Sequence, residues 1–170
     1  MFLGFKNEKF GCNNNMTFIA DTMLGKLARW LRILGYDPVY DQAMTVSQMA
    51  EAAKKPDSVL LTRRIRFHAE SLIQNTVFIP HEKFEDQLRY IVGLYNLKIN
   101  GPFFTRCLKC NREVIPVAKD RARGKVPERT FEGTEEFYKC PECENIFWRG
   151  AHHKNTLNKL DRIFNPNHQV

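Results

Sequence analysis

The apolar positions of this chain change period several times, and each change marks an element. Thr17 to Ala20 is a short apolar run that predicts a buried strand ending at Asp21. Leu24, Leu27, Ala28, Leu31 and Leu34 then recur at three- and four-residue steps, which predicts a helix with one apolar face. Gly35 stands where a glycine ends such a helix. Pro38 to Tyr40 predicts a second strand, ending at Asp41. Thr45 and Gln48 form a capping box for a helix running to about Lys55, before Pro56. Val59–Thr62 predicts a third strand, Phe67–Ile73 a short helix, and Thr76–Ile79 a fourth strand closed by Pro80. Phe84, Leu88, Ile91, Val92 and Tyr95 outline one more helix, and Asn100-Gly101-Pro102 breaks the pattern.

Strands alternating with helices imply right-handed crossovers and a mostly parallel sheet. Sites in such sheets form outside the carboxyl ends of the strands. Asp21, Asp41 and Thr62-Arg63-Arg64 all stand at strand ends.

From Arg106 to about Trp148 the composition shifts to cysteines, prolines and short β-prone pieces, Glu113–Val117 and Glu144–Trp148. Cys107 and Cys110 form one C-x-x-C pair and Cys140 and Cys143 another, with 29 residues between them. Two such pairs can be disulfides or redox pairs, or can complete a tetrahedral sulfur site. In a chain without a secretory signal, structural zinc is the expectation. All four positions are cysteine, so the metal would hold structure and leave no coordination position open for chemistry. The expected organisation is an irregular segment over 1–15, an α/β domain over 16–100, a zinc ribbon over 101–154 and a tail or docking helix over 155–170. Leu157, Leu160, Ile163 and Phe164 supply that helix's apolar positions.

With 43% hydrophobic residues in 170, the larger part can build a core. No run of 18 apolar residues predicts a membrane span, and Met1–Asn15 lacks the apolar stretch of a secretory signal. The expected location is intracellular, cytoplasmic or nuclear, with Cys12 an unpaired bystander. Lysine and arginine number 26 against 19 acids, a net charge of +7, which favours polyanionic partners such as nucleic acid.

Asp21 is the best catalytic candidate, because a carboxylate there can hold Mg²⁺ or Mn²⁺, and Asp41 could join it. Asp21 could equally cap the helix that follows. Lys26, Arg29 and Arg32 recur every three residues on the first helix, either as a solvated face or as a phosphate-tracking ridge. Arg63, Arg64 and Arg66 follow the third strand on the edge that carries Asp21. Lys119, Arg121, Arg123, Lys125 and Arg129 crowd the ribbon loop. Phe131, Phe137, Tyr138, Phe147 and Trp148 are interleaved with basic residues, to stack on bases or to form the ribbon's own core. Trp148, Arg149 and His152 are further candidates for RNA contact.

The run Phe18–Asp37 resembles the opening signature of the PIN-like RNase family found at the C-terminus of Mut-seven exonucleases and as stand-alone prokaryotic proteins. Val59–Arg63 resembles that family's third-strand motif, and Asp86-Gln87-Leu88 the start of its last helix. Cys107-x-x-Cys110, Cys140-Pro141-x-Cys143 and Trp148–His152 resemble its ribbon. The resemblance covers about Met16 to Lys154. It implies a PIN-like α/β domain fused to a zinc ribbon, a link to RNA and, in prokaryotic members, metal-dependent ribonuclease activity. Two departures matter. Where the family places an aspartate after Thr62-Arg63, this chain has Arg64. Where its second helix opens with acidic residues, this chain has Val46-Ser47-Gln48. Carboxylate to guanidinium is a swing of two charge units, which repels a divalent cation and attracts phosphate.

The leading expectation is therefore an RNA-binding module with a decayed nuclease site, gripping single-stranded RNA for an exoribonuclease domain of a longer chain. The resemblance connects such exonucleases with small-RNA silencing. The alternatives are a surviving metal-dependent ribonuclease using Asp21 and Asp41, and a scaffold for a protein partner.

Overall fold

The computed structural model describes residues 16–65, 73, 75–100 and 103–166. Expectations resting on residues 1–15, on the helix over Phe67–Ile73, on Arg66 and on Gly101-Pro102 lie outside these residues. The chain divides into two compact units, Met1–Pro102 and Phe103–Val170.

In the first unit, β1 (Thr17–Ala20), β2 (Ser58–Thr62) and β3 (Thr76–Phe78) form a parallel sheet in that order. Ile19 pairs with Leu60, and Leu61 with Val77. The strand expected over Pro38–Tyr40 contracts to a single parallel bridge, Ile19 with Val39. Two features shorten it. Pro38 has no N–H to donate, and Asp41 turns the chain at once, accepting from the Ala43 N–H on Oδ1 and from the Met44 N–H on its carbonyl.

Both faces of the sheet are covered, so β1 reads as a continuous apolar run rather than an alternation. Phe18 meets the edge of Tyr95 at 5.3 Å on one face, the side of α3 (Phe84–Tyr95). Ile19 joins Met49 and Ala53 of α2 (Val46–Ala53) and Leu60 on the other. The helix α1 (Gly25–Ile33) buries Leu27, Ala28 and Leu31 and packs against α3, where Trp30 stacks on Phe84 at 5.4 Å. Gly35 follows with φ of 92°, the left-handed conformation that favours glycine. The Thr45–Gln48 capping box forms as expected at the start of α2. Asn96, at φ of 48°, ends α3.

The second unit contains an antiparallel sheet of β4 (Ile115–Val117), β5 (Phe137–Lys139) and β6 (Ile146–Trp148). A short helix, α4 (Glu128–Gly133), lies between β4 and β5 in the chain. Phe131, Phe137, Ala122 and Val126 form its core, with Val117, Ile146 and Trp148 packed against them. The tail helix begins earlier than Asn155, as α5 (Ala151–Phe164), with Gly150 at its N-cap and Leu160 and Ile163 buried. No helix among the described residues is long and apolar enough to cross a membrane.

Candidate functional site

The carboxyl edge of the parallel sheet brings together residues 41 positions apart. Asp21 follows β1 directly, and the backbone locks it there: its N–H donates to Leu61 O at 2.9 Å and its carbonyl accepts from Leu24 N–H at 2.7 Å. Its side chain is fully buried and makes no capping bond to the helix that follows. It turns to β2 instead. The Thr62 hydroxyl donates to Oδ2 at 2.7 Å, and the Thr22 hydroxyl donates to Oδ1 at 3.0 Å. The Arg64 guanidinium completes the set, with Nε 3.1 Å from Oδ2 and Nη2 donating to Thr22 Oγ1 at 2.9 Å. The Arg64 N–H donates to Thr62 Oγ1 at 3.0 Å, so the loop after β2 is pinned to the same network.

A buried carboxylate is costly unless paired and hydrogen-bonded. Here both oxygens of Asp21 have donors, and a guanidinium lies on the side open to solvent. The arrangement puts a fixed cation at the strand ends. Thr22 was not among the expected site residues, and Thr62 was noted only for its place at a strand end. Nothing in the apolar periodicity distinguishes a hydroxyl that serves a carboxylate from one that ends a strand.

Asp41 is exposed, with Oδ1 engaged in its own turn. Among the described residues, the cysteines are the only group of three or more clustered metal-ligating side chains, and no acidic trio forms around Asp21. Glu51 pairs with Lys54 and Asp86 with Arg89, each along its own helix.

The expected ridge on α1 is narrower than its sequence spacing suggests. Lys26 and Arg29 are exposed, with the Lys26 ammonium 4.0 Å from the centre of the Phe84 ring. Arg32 is buried, 6% exposed, and donates to Pro38 O at 3.4 Å. A three-residue step falls about 60° short of a full helical turn. Two such steps carry Arg32 round toward the packed flank. Arg63 is half-buried beside Glu82, at 3.7 Å.

The four cysteines converge. Their sulfurs lie within 4.8 Å of one another, and Cys107 Sγ is 3.7 Å from Cys143 Sγ. A tetrahedron of sulfurs about 2.3 Å from a zinc ion has edges of about 3.8 Å. The two knuckles repeat each other. Cys107 N–H donates to Arg112 O and Cys140 N–H to Asn145 O, at 2.8 and 3.0 Å. Asn111 and Glu144 close the turns at φ of 62° and 60°. The N–H groups of Cys110 and Cys143 point at the sulfurs of Cys107 and Cys140, at 3.4 and 3.5 Å. Burial pushes the Cys110 thiol up to about 12, whereas the backbone N–H of Asn145 draws Cys143 down to about 7. The donor set fits a structural metal ion with four thiolate ligands.

The ribbon's basic residues divide into two groups. Lys119 pairs with Glu135 at 2.6 Å and Arg123 with Asp120 at 3.8 Å, and both flank the Phe131 ring. Arg121, Lys125, Arg129 and Arg149 are exposed. His152 is exposed on the first turn of α5, its carbonyl accepting from the Thr156 hydroxyl. Trp148, a candidate for RNA contact, is partly exposed and packs against the ribbon core. Its neighbour Phe147 points to the opposite face, because successive residues of a strand alternate.

The family model for the Mut7-C RNAse domain matches residues 16–160. No curated protein matches the chain. With the match spanning most of its length, the chain belongs to the Mut7-C RNAse domain family.

Proposed function

We propose that this member of a nuclease family binds single-stranded RNA through a site that has lost its own metal chemistry. One observation carries the reading: the Arg64 guanidinium stands 3.1 Å from the fully buried Asp21 carboxylate, on the edge where a catalytic cation would have to sit. A divalent ion there would meet a fixed positive charge and a carboxylate whose oxygens are already engaged. The same guanidinium suits a phosphate. Zinc held by Cys107, Cys110, Cys140 and Cys143 keeps the ribbon folded, and the ribbon carries its own exposed cations, Arg121, Lys125 and Arg129.

In this reading the domain supplies grip on RNA to an exoribonuclease domain, in RNA processing or small-RNA silencing. Lys26, Arg29, Arg63 and Arg64 contribute from the α/β unit. Arg32, being buried, contributes by holding the Pro38 turn. Asp41, near the strand ends, is a remnant of the acidic site.

The test is equilibrium binding of a single-stranded RNA oligomer by the full chain. Affinity should fall steeply as salt rises, and charge reversal at Arg121 and Arg129 should flatten that dependence. A chain with no affinity for RNA at low salt refutes the proposal.

A further inference from the structure

The ribbon sheet has two faces, and only one is occupied by the core just described. The register aligns Val117, Phe137 and Trp148 across the three strands on the face that packs against Phe131 and Ala122. One position along, Pro116, Tyr138 and Phe147 align directly opposite one another, on the other face. Pro116 is exposed, and Tyr138 and Phe147 are each partly exposed. Neither aromatic ring belongs to that core or stacks on another ring among the described residues.

We infer that Tyr138 and Phe147 form a platform on which unpaired RNA bases stack. This rests on the RNA-binding reading and names the surface that meets the bases. Directly opposed residues of an antiparallel pair have Cβ atoms about 5 Å apart, so the two side chains leave the same face from neighbouring positions. Flat rings on an open sheet face are the recurring means of holding single-stranded bases without reading their sequence. Arg149, next after β6, is exposed and can hold the backbone that joins the stacked bases. The Tyr138 hydroxyl donates to Glu136 Oε2 at 3.4 Å, which ties down the end of the side chain.

The test compares the full zinc-loaded chain on two probes of equal length and charge, an oligouridylate and its abasic counterpart. The wild-type chain should prefer the base-bearing strand by roughly fivefold or more. Tyr138→Leu with Phe147→Leu keeps the face apolar but removes its aromatic rings. This variant should lose the preference while retaining the abasic affinity and its salt dependence. Equal wild-type affinity for both probes overturns the platform and leaves the RNA-binding reading standing. A leucine variant that folds, retains zinc and keeps the preference also overturns it. No binding of either probe at low salt defeats the RNA-binding reading itself. Because the wild-type comparison needs no substitution, a variant that misfolds does not remove the test.

Discussion

Asp21 is the residue on which the account of the first unit turns. Its place at a strand end was legible in the sequence, and so was the charge reversal at Arg64. The direction of its side chain was not. Helix capping and site formation both put an aspartate after a strand and before a helix, and the side chain's partners, Thr62 and Arg64 rather than a helix N–H, separate them. Removing the partner should therefore be felt as stability. We expect Arg64→Gln to destabilise the α/β unit by about 1–2 kcal/mol in urea unfolding. That is less than for a wholly buried pair, since the Arg64 side chain is 38% exposed. A neutral effect would mean that Asp21 is satisfied by its hydroxyl partners alone. Gly25 gives a second residue-level expectation. A Cβ there would run into the Tyr40 hydroxyl, which also donates to Thr22 O. Gly25→Ala should cost about 1–3 kcal/mol, and shortening Tyr40 to leucine in the same chain should recover part of it. Additive losses in thermal unfolding would show that the two positions do not meet.

At the scale of elements, long periodic segments were readable, and so were short strands that stand out as apolar runs, such as β1 and β3. α3 runs over Phe84–Tyr95, where its apolar spacing predicted it, and the α2 capping box has both of its hydrogen bonds. β5 and α4 escaped notice because neither is an apolar run: Phe137–Lys139 lies between Glu136 and Cys140, and α4 is six residues, less than two helical turns. The knuckles were legible because C-x-x-C is a constraint of coordination rather than of hydrophobicity. If the four cysteines hold an ion, the ribbon should depend on it, since the core around Phe131 and Phe137 is small. A strong chelator should expose protease sites within residues 103–166 while residues 16–62 stay protected, and zinc should restore the original pattern. Unchanged protection after the metal is shown to be gone would mean that the core suffices.

For the whole molecule, the net charge of +7 suggests a polyanion but does not locate its contacts. The structure sorts the expected basic residues into exposed groups such as Arg29, Arg121 and Arg129, ion-paired ones such as Lys119, and the buried Arg32. A linear sequence cannot make that division, because burial and pairing depend on elements distant in the chain. The account requires a nuclease fold that holds RNA without cutting it. The most direct measurement follows binding and cleavage of one single-stranded RNA by one sample of the chain across a Mn²⁺ titration. The account predicts saturable, salt-sensitive binding with the RNA left intact at every Mn²⁺ concentration. Mn²⁺-dependent cleavage that disappears in Asp21→Asn would contradict it.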